Sequence, residues 1–583
     1  MKQSNWRSPN PMPLEEQISD TYTADVVIIG GGQAGTCAAR AATEQGASVI
    51  VIEKKSERRM SYNGGGQVGQ INSDFAKSRG IPEIDVIEFM NDWQLRANNR
   101  ATPGLISTFA HKSGECMDWV LSRLTQEQRD SIEIRQVTLD GQTLNHCVDN
   151  SGIKTWVGCV CLTTGYQAIA MNALRHESEA NGATWFYGAT GWCLIKDENR
   201  VTGAIAKLSD GSFIRCVAQK GVLLSSGDFG GDPEMVRDLI TEPTDVMPEL
   251  NLRAMAGCDG IGHKMGYWAG GMFEPRPLSS MGGNYSYPGG SPADPIGTTA
   301  ALWLNTHGKR YCNEGFGDVV LSAVHGLRQP KGFLSVVFDS KILEQVKVQA
   351  PGHLSFDYTS EMECAALQQE MDKVMGKVDN YNSSIRVGAP KDTLHKSTAD
   401  GMPPMGEGFP GGPADLPTMG ENPSGGFGGP GGPGGPGGPG GPQGAKLLGS
   451  NTLEGLAEQL GYAGEDKENF LSSIARYNEL CYAGRDEDFG KDAHLLFAID
   501  TPPYFGYKSE KKPGPFMCTT GGLLTDGNQN VLDHNLEPIP GLFASGNVCG
   551  GRFGLQYSTP VSGISIGIAQ TMGREAGIYI ANL

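Results

Sequence analysis

The chain has 583 residues, 38% of them apolar and 19% charged, with a formal net charge of −18. One hydrophobic core does not organise that length, so two or three domains are expected. The negative charge argues against nucleic acid or an anionic membrane surface as partner.

Residues 25–75 read as a first strand–helix–strand unit. The apolar run Val26-Val27-Ile28-Ile29 predicts a buried parallel strand, Thr36–Ala42 the opening of a small-residue helix, and Val49-Ile50-Val51-Ile52 a second strand that ends in Glu53. Between first strand and helix stands Gly30-Gly31-Gly32-Gln33-Ala34-Gly35. Strand, Gly-x-Gly-x-x-Gly turn, helix, strand and terminal acid is the order a dinucleotide site requires. Gly30 permits the tight turn, Gly32 lets a pyrophosphate approach the backbone, and Gly35 lets helix and strand pack closely. The unpaired N–H groups of the helix N-terminus face the phosphates, and Glu53 would accept hydrogen bonds from a ribose diol.

Residues 100–125 read as helix, with Trp119, Val120, Leu121 and Leu124 on an apolar side. Residues 166–227 alternate helix and short strands and end in the apolar strand Gly221–Leu224. The group His146, Cys147, Cys159 and Cys161 has no recognised ligand spacing, and no metal is expected there. Mixed patterns run to about 395. From Gly401 to Gly444 the composition becomes Gly- and Pro-rich, with five Gly-Gly-Pro triplets over Gly428–Pro442. Such a segment has almost no apolar side chains to offset its ordering entropy and reads as a flexible insertion. Globular patterning resumes at Leu447, Phe470–Asn478 has helical periodicity, Pro538–Gly546 reads as turn, short strand and glycine turn, and Ile564–Ile580 as a closing helix. No apolar run approaches the ~18 residues needed to cross a bilayer. The first twenty residues lack a signal-peptide core, and the thirteen cysteines show no paired spacing. A cytoplasmic location follows as the expectation.

Several segments resemble the flavoprotein family of fumarate reductase and succinate dehydrogenase, which includes ketosteroid dehydrogenases. They are Leu223–Met235, Gly257-Cys258-Asp259-Gly260-Ile261, Gly308-Lys309-Arg310-Tyr311-Cys312-Asn313-Glu314, Thr520-Gly521-Gly522-Leu523 and Pro538–Gly546. The resemblance runs from about Asp25 to the C-terminus, interrupted by the Gly/Pro insertion. It implies an α/β fold, a Rossmann-like FAD-binding domain with an inserted α+β capping domain. The expected boundaries are 1–24 as an N-terminal extension, 25–270 and 513–583 as the two parts of the FAD-binding domain, and 271–512 as the cap, with 401–445 the flexible insertion. Carried over position by position, Gly30, Gly32, Gln33, Ala34, Gly35, Glu53, Lys54, Asn63, Gly64, Gly69, Gln70, Ser226, Gly227, Asp259, Gly546, Asn547, Ser562, Gly563 and Ile564 would line FAD. Some members attach the flavin to a His shortly after the ribose acid; here no His precedes His111, so FAD is expected to be non-covalent. No second fingerprint for a nicotinamide cofactor occurs, and a separate electron donor is expected.

The substrate-binding pattern departs from that of the fumarate reductases. Asp318 stands where the resemblance calls for an Arg, Cys518 where it calls for a carboxylate-binding His, and Tyr557 or Pro560 where it calls for a second Arg. A buried dianion needs fixed cations. The expectation is therefore a larger, weakly charged ring compound such as a steroid or polyphenol, reduced at an activated C=C bond, with Tyr557, Arg552 and Cys518 as the candidate catalytic residues. Tyr557 is equally readable as a packing residue with a polar tip, Arg552 as a surface cation and Cys518 as a small buried side chain; Arg310 and Glu314 suggest an ion pair of the cap. The same scaffold run in reverse would be a dehydrogenase of a saturated ring ketone. A fumarate-type carboxylate reductase and a non-enzymatic flavoprotein scaffold are the remaining alternatives.

Overall fold

The computed structural model describes residues 5–62, 66–134, 136–139, 142–148, 154–162, 165–240, 258–281, 301–314, 329–330, 334–348, 361–377, 447–508, 518–555, 557 and 559–583. Asn63, Gly64, Asp318 and the Gly/Pro insertion lie outside them.

The Gly-x-Gly-x-x-Gly unit forms as its pattern requires. Strand β1 (Ile18–Ile29) leads into helix α1 (Gln33–Glu44), and strand β2 (Val49–Glu53) follows. Chain order continues with α2 (Val86–Arg96), α3 (Pro103–Leu121), β3 (Thr184–Tyr187), β4 (Thr190–Asp197), β5 (Arg200–Lys207) and β6 (Phe213–Leu224). Strand order is β3-β2-β1-β6-β5-β4. β1 runs parallel to both neighbours, Ile28 lying between Val51 and Leu223. From the far end of the chain, β12 (Pro538–Ala544) adds parallel to β6, Ala544 beside Leu224, and β11 (Asn530–Leu532) pairs with β12. β2, β1, β6 and β12 thus end together, at Glu53, Ile29, Leu224 and Ala544. Ligands bind outside this carboxyl edge in open α/β sheets.

Alternation along β1 divides the core. Val26 and Ile28 pack with α1 and the closing helix α6 (Ile564–Ala581). Val27 and Ile29 face the layer that contains α2, α3 and α4 (Ile261–Trp268). A continuous apolar run is what a parallel strand covered on both faces needs.

Two expected boundaries shift. β1 begins at Ile18, seven residues before Asp25, and pairs with β6 from Phe213 onward. Residues 19–23 are exposed and polar, so no apolar run announces them. Further upstream, Trp6 is buried among Phe229, Met235, Val236, Leu239, Ile240 and Leu278, so the stretch expected as an extension takes part in the core. Likewise, Phe273 bridges to Leu523, and Ser280–Met281 pair with Cys518–Thr519. This start of the expected cap packs with the C-terminal part of the chain.

A second, four-stranded antiparallel sheet is built from β7 (Leu302–Asn305), β8 (Leu334–Asp339), β10 (Tyr504–Lys508) and β9 (Leu447–Ser450), in that order. It carries its own core on each face, one of them closed by α5 (Glu465–Ala483). The ion pair suggested by the sequence forms here. Arg310 contacts Glu314 at 2.8 Å and Asp486 at 2.7 Å, and its guanidinium lies 5.0 Å from the rings of Tyr477 and Phe489. The buried Lys491 donates to the Tyr477 hydroxyl at 2.9 Å. Two cations and two carboxylates balance, which is what makes burial of such charges tolerable.

Close helix contact holds the first unit in place. A Cβ on Gly573 would lie 2.3 Å from the carbonyl oxygen of Ala34, and one on Gly577 2.3 Å from that of Ala38. Gly573→Val should therefore lower unfolding free energy by about 1–3 kcal/mol through overpacking, despite its gain in helix propensity; urea unfolding midpoints check this.

Candidate active site

The glycine turn is shaped by what side chains would strike. Gly30 has φ +101°, and a Cβ there would lie 2.5 Å from the Cα of Ser226. A Cβ on Gly35 would lie 1.9 Å from the carbonyl oxygen of Gly30. Gly32, at the N-cap of α1, has nothing within 4 Å of its Cβ direction. The turn is thus sealed toward the sheet and open at the helix N-terminus, where an anionic pyrophosphate is favoured. Glu53 is 8% exposed. One of its oxygens accepts from Gly31 N–H at 2.7 Å and the other from Lys55 N–H at 2.7 Å. Its remaining lone pairs suit a ribose diol, so the residues fit an adenine dinucleotide.

Other expected cofactor residues gather on the same edge. Lys54 and Asp259 form an ion pair at 2.8 Å. Burial raises the Asp259 pKa, but Lys54 outweighs it and the net shift is downward. Ser226 Oγ accepts from Gly262 N–H at 2.9 Å, at the start of α4, and Gly227, at φ +87°, leaves room for the Cys258 sulfur. Gly546 approaches Ala34, and Gln33 Oε1 accepts from Gln570 Nε2 at 3.0 Å. Gly69 N–H donates to the Gly563 carbonyl at 2.9 Å, which sets the turn Ser562-Gly563-Ile564 at the N-terminus of α6. Gln70 is a brace: its amide oxygen accepts from Ser73 N–H at 2.9 Å, and its amide nitrogen donates to the Gly158 carbonyl at 3.2 Å.

The three candidate catalytic residues lie around the turn that follows β12. Arg552 is buried, contrary to its alternative as a surface cation, and is 2% exposed. Its Nε donates to the Cys549 carbonyl at 2.8 Å, and its Nη2 to the Thr520 carbonyl at 2.6 Å and Asn547 Oδ1 at 3.1 Å. Its Nη1 is buried without a hydrogen-bond partner among the described residues. Burial lowers its pKa, opposed by Cys549, Glu274, Cys518 and Tyr557. Cys518 is buried, and desolvation, with Asp228 beside it, pushes its thiol well above the usual range. It carries a proton and is a poor nucleophile. Tyr557 is 1% exposed, its ring 4.8 Å from that of Phe553 and edge-on to it.

Sequence reasoning missed the buried groups that hold this arrangement. Glu274 accepts from Gly522 N–H at 2.9 Å and Gly551 N–H at 3.1 Å, joining the two Gly-Gly segments. Asp228 accepts from Cys258, Thr519 and Gly230 N–H groups at 2.9, 3.0 and 3.1 Å. Burial raises the pKa of both. His263 is 0% exposed; its Nε2 lies 3.0 Å from the Asn547 carbonyl, which fixes that nitrogen as the protonated one, and Nδ1 has no partner among the described residues. Apart from Gly230, two positions from Asp228, their partners lie 30 to 291 positions away, and no local pattern marks these roles.

Two measurements test these assignments. Glu53→Gln leaves one of two backbone donors without its carboxylate oxygen, so FAD binding should weaken by about 1–3 kcal/mol, roughly fivefold to 150-fold, read by flavin titration of apoprotein. Burial depresses the His263 pKa to about 3, so between that pH and about 6.5 the unfolded chain binds a proton that the folded chain refuses. Stability should fall with pH through this window, by about 2 kcal/mol between pH 7 and pH 5 from this group alone. His263→Phe should be less stable at pH 7 and lose less on acidification, as urea midpoints at the two pH values would record.

Comparison with known proteins agrees with this geometry. The model of the FAD binding domain family matches residues 25–565. The vinyl phenol reductase of Lactiplantibacillus plantarum is 22% identical over 573 residues, covering 96% of this chain and 97% of that protein. The digoxin reductase of Eggerthella lenta is 24% identical over 581 residues, covering 96% and 88%. Among solved structures, 3-ketosteroid-delta4-(5alpha)-dehydrogenase from Rhodococcus jostii has the same fold, with a TM-score of 0.64 at 19% identity, covering 98% of this chain and 99% of that one. With its glycine turn, its strand-end acid and a family match over nearly its whole length, the chain belongs to the FAD binding domain family and is an FAD-dependent oxidoreductase of the fumarate reductase and ketosteroid dehydrogenase group.

Proposed function

We propose that this chain reduces an activated C=C bond of a ring-containing, weakly charged substrate such as a steroid or polyphenol, using non-covalently bound FAD and a separate electron donor. FAD, when bound, supplies the hydride. The observation that carries the reading is Arg552: a buried guanidinium with three neutral acceptors and, among the described residues, one N–H direction unpartnered, next to the rings of Phe553 and Tyr557. A dicarboxylate needs several fixed cations. A buried cation beside aromatic rings suits a substrate that presents an electron-rich oxygen and a flat apolar body.

Arg552 Nη1 then donates to the substrate oxygen that gains negative charge as the double bond is reduced. The Tyr557 hydroxyl delivers the proton to the adjoining carbon or polarises the carbonyl. Cys518, held protonated by burial, borders the site without adding charge. The names of two relatives, vinyl phenol reductase and digoxin reductase, point toward phenolic and steroid-like substrates.

Anaerobic reoxidation of the reduced holoenzyme against enones, steroids, polyphenols and dicarboxylates tests the reading. Ring compounds should reoxidise the flavin, and fumarate should not do so at a comparable rate; rapid reoxidation by fumarate would overturn the substrate class. Oxidation of a saturated ring ketone by the oxidised enzyme, with no enone reduction, would reverse the direction. In Tyr557→Phe, turnover should fall by roughly 10²- to 10⁴-fold with flavin content unchanged.

A further inference from the structure

The segment that carries Arg552 and Tyr557 does not stand by itself; it is docked on α2 and the turn after it. Trp93 of α2 is 0% exposed. Its indole N–H donates to the Arg552 carbonyl at 3.0 Å, across 459 residues of sequence. Its ring stacks on Phe553, with centroids 6.3 Å apart and an interplanar angle of 25°, and Phe553 in turn meets Tyr557 at 4.8 Å. From behind, Phe89 and Phe109 hold the indole edge-on at 5.7 and 5.4 Å, which leaves it one orientation.

Backbone contacts on either side complete the dock. Thr102 N–H donates to the Gly551 carbonyl at 2.7 Å. Gly551 and Gly554 have φ of +69° and +77°; Cβ atoms there would lie 2.4 Å from Thr102 Oγ1 and from the Ala97 carbonyl oxygen. Chain direction at 551–554 is therefore set by residues 93–102. Fixing the Arg552 carbonyl fixes the rotation of that residue's backbone, and so the direction in which its guanidinium leaves toward Thr520 and Asn547.

We infer that Trp93 is a positioning residue for the reaction, its N–H aligning Arg552 and its ring aligning Tyr557 through Phe553. The inference rests on the proposed reading that Arg552 and Tyr557 act on the substrate. Trp93 touches neither substrate nor cofactor in this role. Misplacement of catalytic groups by about 1 Å costs up to ~100-fold in rate, so the effect falls on kcat more than on KM.

Trp93→Phe keeps a flat ring and removes the N–H. In the FAD-loaded variant, kcat on the best ring substrate should fall about 10- to 100-fold with KM changed little, and the pH profile of kcat should move because Tyr557 is no longer held. Amide hydrogen exchange at 550–555 should rise at least tenfold while α1 keeps wild-type protection. Unchanged exchange at 550–555, or wild-type kcat in the loaded variant, overturns the inference. If Trp93→Phe does not load FAD, Phe553→Leu breaks the ring contact from the other side and is held to the same two readouts. Exchange needs no substrate, so a raised rate at 550–555 with no turnover of any ring compound by wild type would sink the proposed substrate class and leave the dock standing.

Discussion

Everything at the site depends on how closely α1 approaches the carboxyl edge of the sheet. The approach is a backbone-to-backbone contact. Gly35 lies against the Gly30 carbonyl, Gly30 against Ser226, and Gly573 of α6 against Ala34. Any side chain at these positions would push the helix N-terminus away from the strand ends. With none, the N-terminus of α1, the Glu53 carboxylate and the Gly546 turn gather at one edge of the sheet. The dense apolar core of β1, β2 and β6, with Val26–Ile29 and Leu223–Leu224 at 0–1% exposure, holds that geometry rigid.

A second constraint is electrostatic. Asp228, Glu274, His263 and Arg552 are all buried near the Asn547 turn. Each carboxylate answers to backbone N–H groups, and Arg552 to carbonyl and amide oxygens. Buried polar groups paired in this way favour one arrangement, because breaking these bonds leaves further donors and acceptors dry. Asp228 ties the strand end after β6 to Cys518–Thr519, Glu274 ties Gly522 to Gly551, and Arg552 ties Thr520 to Asn547. Four segments distant in sequence are thereby joined at the place where substrate chemistry is proposed.

Legibility in sequence followed the range of the interactions. The glycine turn, Glu53, the apolar strands and the closing helix were readable because each is a local pattern with one physical meaning. The start of β1 at Ile18 was not, since its outer residues are polar and exposed and the strand exists there through pairing with β6. Nor was the role of residues 272–281, whose partners include residues at 518–532 and Gly551. Gln70 was readable as a member of the site but not as a brace between Gly158 and Ser73.

The sequence by itself determined the cofactor class, because phosphate binding by a helix N-terminus and ribose binding by a strand-end acid are fixed by spacings of a few residues. Its resemblance to the fumarate reductases also pointed to places where the dicarboxylate pattern is expected to fail, at Asp318, Cys518 and Tyr557 or Pro560. Tertiary structure decided what surrounds them. It buried Arg552 with one N–H direction unpartnered among the described residues, buried Cys518 beside Asp228 and thereby kept its proton, and brought Trp93 under Phe553. Desolvation and hydrogen-bond closure are properties of a packed interior, made by segments hundreds of residues apart. No reading along the chain contains them until the chain has folded.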